Sequence, residues 1–320
     1  MSRSDERWPW ATPTATRQGI TDRLRTRYPP AELQLRRVEV AFRRRLVRLE
    51  ASAPQRWIVK GGVALVLRLD PSRTSDDIDL SYVDAAGGHA AAIRALERAF
   101  EIDAGDFFAF EFTTLVAAGL GETDADTFTV RVRVRVGEIE WATFGVDLQA
   151  ASIDAPTETI SNAGDLIGLG AVDDLPPLRA LPISQQLAEK TCAMFERHGV
   201  TASFSSRARD LVDIAMIASQ VDKIVGTKLE EDLRREEARR LDRATLRASL
   251  PARFTLPDEQ LTDWRGRWTK ATRGVAITLD DAYRDSEAFL TAVLAGRAAG
   301  HHWHLQRAPV GLTARRDQRQ

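Results

Sequence analysis

The chain has 320 residues, 43% of them hydrophobic, and a formal net charge of −1, enough for one large domain or two ordinary ones with a true core. Its single cysteine, Cys192, excludes an intrachain disulfide and a cysteine-based zinc site, and no stretch approaches the roughly 20 apolar residues of a membrane span. The near-zero charge sum argues neither for nor against a nucleic-acid partner, because distribution matters more than sum.

Of the 45 basic residues only five are lysines: Lys60, Lys190, Lys223, Lys228 and Lys270. Arginine suits bidentate phosphate contacts. A GC-rich genome produces the same excess, and that is the default explanation. The N-terminus is polar and Arg-rich without an apolar signal segment, so the expectation is a soluble, cytoplasmic protein with no membrane contact.

In chain order, residues 1–30 predict a partly flexible N-terminal segment holding a short helix at 17–29. Residues 31–51 place Leu33, Val38, Phe42, Leu46 and Leu49 near helical spacing, predicting an amphipathic helix. Its Arg43-Arg44-Arg45 run reads as a solvated face, with an RNA contact as the sharper alternative. A strand, a glycine pair and a short helix occupy 57–67, and a second strand follows at 77–80. Residues 88–101 predict a helix, 106–116 a strand and 119–126 a loop. Residues 128–136 alternate without a break, and Gly137-Glu138 turns them into a partner strand at 139–149. The stretch 150–180, rich in Asp, Gly and Pro, predicts a connector. Helical patterns then dominate at 184–197, 206–221, 228–248, 257–271 and 278–298. The expected organisation is a core over 31–155, a connector over 156–181, a helical domain over 182–300 and a polar tail over 301–320.

The densest chemistry lies in residues 57–82. Lys60-Gly61-Gly62 follows an apolar strand and precedes an apolar helix. A glycine pair at a helix N-terminus lets backbone approach phosphate. On its own, such a pair is more often a plain turn. Asp77 and Asp79 are two apart, so in a strand they share a face, while Ile78 and Leu80 turn inward. Paired carboxylates repel unless a cation lies between them, and Mg²⁺ with substrate phosphates is the usual solution. The bland alternative is an acidic surface loop.

Asp147 interrupts the apolar run Phe144-Gly145-Val146-Asp147-Leu148. A lone buried carboxylate is costly, so it is either paired, part of a site, or at a partly exposed edge. A third carboxylate near a metal can take the proton of an attacking hydroxyl. Lys190 sits on one predicted helix, and Arg207, Asp210, Asp213 and Ile214 share a face of the next. A charged stripe of this kind is by default solvated. The alternative has Lys190 bind triphosphate with Asp210 positioning it. Arg131, Arg133 and Arg135 make one basic sheet face, exposed by default, or else a groove for an RNA backbone. His301, His302 and His304 flank Trp303 and make a poor metal site.

The succession Lys60-Gly61-Gly62-x-Ala64-Leu65, then Arg73-x-Ser75-x-Asp77-Ile78-Asp79-Leu80, resembles the AbiEii/AbiGii-type nucleotidyltransferase toxins. Ala188-Glu189-Lys190 and Arg207-x-Arg209-Asp210-Leu211-x-Asp213 match the same family's helical motif. The resemblance runs over about residues 30–220, and the chain beyond 225 matches nothing nameable. These toxins belong to the DNA polymerase beta-like nucleotidyltransferase superfamily.

The resemblance implies an α+β fold: a nucleotidyltransferase-like mixed sheet with flanking helices, followed by a mainly helical region. It implies transfer of NMP from an NTP to an acceptor hydroxyl with release of pyrophosphate. Asp77, Asp79 and Asp147 would be catalytic carboxylates and ligands of Mg²⁺, for which Mn²⁺ can substitute. Lys190 and Asp210 would be the nucleotide-site pair. Lys60, Gly61, Gly62, Arg73, Ser75 and Arg207 would complete the nucleotide-binding set. The implied partners are an RNA acceptor, the 3′ end of tRNA, so that translation is blocked, and a cognate antitoxin. Two alternatives stand beside this: a nucleotidyltransferase for a small molecule such as an aminoglycoside or for a protein side chain, and a module that binds without catalysis. Ser75, two residues before Asp77, is also a candidate for phosphorylation that would repel NTP.

Overall fold

The computed structural model describes residues 8–69, 75, 77–83, 88–117, 127–151, 155–161, 165–169, 175–199, 201–221, 223–272, 275–298, 300 and 302–304. Met1–Pro182 and Ile183–Gln320 form two compact units.

The first unit opens with helix α1 (Pro13–Arg27), a 3₁₀ turn at Pro30–Glu32 and helix α2 (Leu33–Ser52). Thr12 caps α1 by accepting the Ala15 N–H, and Pro13 supplies a preset first turn. Strand β1 (Trp57–Lys60), helix α3 (Gly61–Arg68), strand β2 (Asp77–Val83) and helix α4 (Gly88–Phe100) follow. Then come β3 (Phe108–Ala117), β4 (Thr127–Val136), β5 (Ile139–Ala151), β6 (Glu158–Ile160) and β7 (Leu178–Ala180).

These strands form one mixed sheet in the order β3-β4-β5-β2-β1-β7-β6. The β2/β5 and β1/β7 pairs are parallel, and the others are antiparallel. Period-two alternation sorts its two faces. Val130, Val132, Val134 and Val136 are fully buried, as are Val146 and Leu148 beside them. Helices α2 and α4 cover that face: Phe42 meets Phe144 edge-on at 4.8 Å, and Phe100 stacks on Phe112 at 4.1 Å. The opposite face carries Arg131 and Arg133, both exposed as the alternation predicts.

Two sequence readings change here. The Arg43-Arg44-Arg45 run is not a solvated face, for all three residues are buried, together with Arg36 and Arg48. Arg44 Nε donates to Asp106 Oδ2 at 2.6 Å, and Arg48 donates to both Asp106 oxygens and to the Phe108 carbonyl. Arg45 lies 3.9 Å over the Phe100 ring and donates to the Leu96 carbonyl. Helical spacing distinguishes faces but not what packs on them, and here two faces of α2 are covered. The predicted connector is also structured. Strand β7 pairs with β1, the Leu181 N–H continues to the Val59 carbonyl, and β6 closes the edge. Three-residue strands are too short for alternation to register in a sequence.

The second unit holds α5 (Ile183–Phe195), β8 (Arg197–His198), β9 (Ser203–Phe204), α6 (Ala208–Gln220) and β10 (Lys223–Val225). It continues with α7 (Gly226–Asp242), α8 (Asp258–Thr272), α9 (Leu279–Leu294) and β11 (His302–His304). Helix α5 packs on α6 and α7, and α6 packs on α8 and α9. Cys192, Met194, Ile214, Ile217, Trp264 and Phe289 fill the interior. Burial pushes the Cys192 thiol far up, so it is an inert core residue. His302 and His304 belong to β11, which pairs with β10, while His301 lies outside the described residues. No described helix is long and apolar enough to cross a membrane.

Asp106 is the fully buried counter-charge for α2. Burial acts to raise its pKa, but the hydrogen bond from Arg48 and the charges of Arg44 and Arg48 outweigh this and hold the carboxyl below its ordinary 3.8. A depressed folded value stabilises above the unfolded pKa, and the contribution is lost as pH falls through the folded one. Asp106→Ala leaves two guanidiniums uncompensated and costs about 3–5 kcal/mol in urea unfolding at pH 7. The gap between variant and wild type narrows when the measurement is repeated below pH 3.8.

Candidate active site

The polar face of the sheet carries the predicted carboxylates. Strand β2 runs parallel to β5 with Asp79 directly opposite Asp147 and Asp77 opposite Gly145. In-register neighbours share a face, so Asp77, Asp79 and Asp147 stand together on two adjoining strands. Ile78, Leu80, Val146 and Leu148, all fully buried, lock that register from the other side. The row extends both ways: Lys60 on β1 is opposite Asp79, and Thr129 on β4 is opposite Asp147.

Each site carboxylate has its own surroundings. Thr129 Oγ1 donates to Asp147 Oδ1 at 2.6 Å. Ser75 Oγ donates to Asp77 Oδ1 at 3.2 Å. Asp79 rests against Gly61 at the amino end of α3, where the helix dipole favours an anion. Gly61 has φ +58°, and a Cβ there would lie 1.7 Å from Asp79 Oδ2. Backbone conformation and the carboxylate both demand glycine. Gly62 is the second residue of α3, so the pair opens the helix as the sequence predicts. Lys60 Nζ reaches across the row to Gln149 Oε1, and Gln149 Nε2 donates to Thr127 Oγ1 at 2.6 Å.

Among the described residues no three His, Cys, Asp or Glu side chains are gathered as a formed metal centre. The donor chemistry nevertheless fits a hard divalent cation, since three carboxylates share one face of two neighbouring strands. Ser75 is buried and already engaged with Asp77, which argues against it as a surface phosphorylation site. Arg73 lies outside the described residues.

Lys190, Asp210 and Arg207 belong to the second unit. Lys190 Nζ sits 2.7 Å from Asp210 Oδ1 and 2.7 Å from Asp213 Oδ2. Both carboxylates are buried, Asp213 only 1% exposed, and Lys190 is largely covered, so the solvated-stripe reading of α6 does not hold. Arg207 caps the start of α6 by backbone position and is exposed.

Two supporting residues escaped the sequence reading, Thr129 and Gln149, while Asp213 stood in the charged face and the motif of α6 without a role. Asp213 shares the helical face of Asp210, Thr129 shares the parity of the exposed arginines, and Gln149 is two residues beyond Asp147. That signal was available, but neither a threonine nor a glutamine in a strand announces a partner until the register is known.

A family model described as nucleotidyl transferase AbiEii toxin, type IV TA system, matches residues 44–293. It therefore covers the 225–293 stretch that the sequence reading left without a match. Among solved structures, MenT4, a nucleotidyltransferase toxin from Mycobacterium tuberculosis H37Rv, aligns with TM-score 0.55 and 16% identity over 91% of this chain and 100% of that one. JHP933 from Helicobacter pylori aligns with TM-score 0.39 and 17% identity over 83% of this chain and 94% of that one. The comparison with curated proteins finds no match. The MenT4 likeness shows a shared fold.

Gly61→Ala forces both a left-handed alanine and displacement of Asp79, a cost of about 1–3 kcal/mol in chemical denaturation. Lys190→Met strands the Asp210 and Asp213 carboxylates in a buried setting and lowers stability by about 3–5 kcal/mol in the same assay.

Proposed function

The chain belongs to the AbiEii nucleotidyl transferase toxin family, and we propose that it moves NMP from an NTP to a hydroxyl on RNA, at the 3′ end of a tRNA, so that translation stops. The reaction forms a bond between the acceptor oxygen and the α-phosphorus. It breaks the bond from that phosphorus to the β-phosphate bridging oxygen, and pyrophosphate leaves. Type IV toxin–antitoxin membership implies an antitoxin partner and an NTP substrate.

The observation that carries this reading is the register of β2 against β5, which sets Asp79 beside Asp147 with Asp77 one pleat away. Asp77, Asp79 and Asp147 would hold Mg²⁺, or Mn²⁺ on the same oxygen donors. The bound ion supplies charge neutralisation at the phosphates. Asp147 takes the proton of the attacking hydroxyl, with Thr129 fixing one of its oxygens. Gly61 and Gly62 open α3 with backbone amides suited to phosphate, and Lys60 stands at the same helix end. Ser75 orients Asp77 through its hydroxyl. Lys190, held by Asp210 and Asp213, is the cation of the second unit suited to triphosphate, with Arg207 beside that helix start. Exposed Arg131 and Arg133 on the carboxylates' own sheet face favour a polyanionic acceptor over a cationic small molecule.

Purified protein incubated with each α-labelled NTP, Mg²⁺ and total RNA should label a tRNA-sized band. Asp79→Asn and Asp147→Asn should each lower the rate by on the order of 100-fold or more, since each removes charge placed at the reacting phosphate. Equal labelling by wild type and Asp79→Asn removes the carboxylate row from the mechanism, and label on a protein or small molecule only replaces the acceptor.

A further inference from the structure

Gly145 has no visible structural reason to be glycine. Its backbone is ordinary strand, not left-handed, and it sits inside β5. A Cβ built there would lie 3.8 Å from the Asp77 Cβ, plain van der Waals contact. Glycine weakens a strand interior, and where neither a bulge nor a bend needs it, it marks a place where another molecule comes close to the backbone. The register bulge between β4 and β5 lies elsewhere, at Val134/Arg135.

The register shows what surrounds this gap. Gly145 is opposite Asp77 on one side and opposite Arg131 on the other. One row of the polar face therefore reads Asp77, bare backbone, Arg131. With strands about 4.8 Å apart, the Arg131 Cα stands roughly 10 Å from that of Asp77. Arg131 is exposed, and its guanidinium has no hydrogen bond or ion pair among the described residues. Its neighbours along β4 and around it are matched. Arg133 faces Glu140 at 3.5 Å, and Arg135 is held by Glu111 with Glu138 at 3.7 Å. Among the described residues Arg131 is thus the cation of this row without a carboxylate partner.

The position is also lateral to the phosphate-binding end. Across the sheet the order is β1, β2, β5, β4, so Gly61 and Lys60 flank the carboxylates on one side and Arg131 flanks them on the other. A triphosphate at the α3 amino end leaves the β5/β4 side for the second substrate. We propose that Gly145 and Arg131 form the acceptor subsite. The bare strand at Gly145 lets the acceptor strand lie close to the sheet, and Arg131 binds the phosphodiester next to the reacting hydroxyl. This rests on the nucleotidyltransfer reading above and assigns its acceptor side.

The test is steady-state transfer of labelled NMP by the full chain to RNA. Wild type, Arg131→Gln, Arg131→Lys and Gly145→Val are compared while RNA and NTP are varied separately. Arg131→Gln should raise the KM for RNA about tenfold, as expected for losing one charge-assisted contact, with the KM for NTP changed less than twofold. The slope of log KM for RNA against log salt should fall by roughly 0.7, the value for one phosphate contact on a single strand. Arg131→Lys should restore the slope. Gly145→Val, a residue that suits a strand, should fold normally by thermal unfolding yet raise the KM for RNA. An unchanged RNA KM and salt slope in Arg131→Gln overturns the subsite, as does a rise in the KM for NTP alone. No transfer to nucleic acid by wild type under any condition removes the underlying reading instead, so the two failures are separable.

Discussion

Pairing of β2 with β5 is the constraint on which the site depends. Parallel strands so joined place Asp79 and Asp147 side by side, although 68 positions separate them in the chain (147 − 79). A slip of one residue would turn every side chain of β2 to the other face. It would bury Asp77 and Asp79 and expose Ile78 and Leu80. Ile78 and Leu80 are fully buried where they stand, so the slip is opposed by the loss of two apolar side chains, each about 1.5–3 kcal/mol. The hydrophobic face therefore sets the polar one. The carboxylates gain their proximity from apolar packing and contribute little to it themselves.

What holds that apolar face closed is unusual in its chemistry. Helix α2 presents Phe42, Leu46 and Leu49 together with buried Arg36, Arg44, Arg45 and Arg48. A buried ion pair seldom stabilises relative to an apolar replacement, but breaking one is costly. The Arg44–Asp106–Arg48 group therefore restricts where α2 can sit. It ties the helix to the loop before β3 at Asp106 and to the Phe108 carbonyl at the start of that strand. Phe100 and Phe110 supply ring faces for Arg45, which binds the helix to α4 and β3 without a carboxylate. The same logic appears in the second unit, where one lysine is shared by two carboxylates on α6. Among the described residues several charges are placed inside, met by carboxylates or, for Arg45, by ring faces and a carbonyl, so a near-neutral sum conceals a polarised interior.

Much of this was legible in the sequence, for a physical reason in each case. The unbroken alternation of residues 128–136 had to be a strand with valines inward and arginines outward, and it is. Asp77 and Asp79 had to share a face once Ile78 and Leu80 were apolar. Gly61-Gly62 between an apolar strand and an apolar helix had to start that helix. Local periodicity and local stereochemistry fix such features, and the motif order carried the family. The tertiary structure alone decided which strands are neighbours. That choice made Asp147 the companion of Asp79, brought Thr129 and Lys60 into the same row, and set Gly145 between Asp77 and Arg131. It also buried the arginines of α2 and turned 178–180 into a sheet strand. Periodicity describes one element's faces, whereas burial and adjacency are properties of pairs of elements, and no window along the chain contains them.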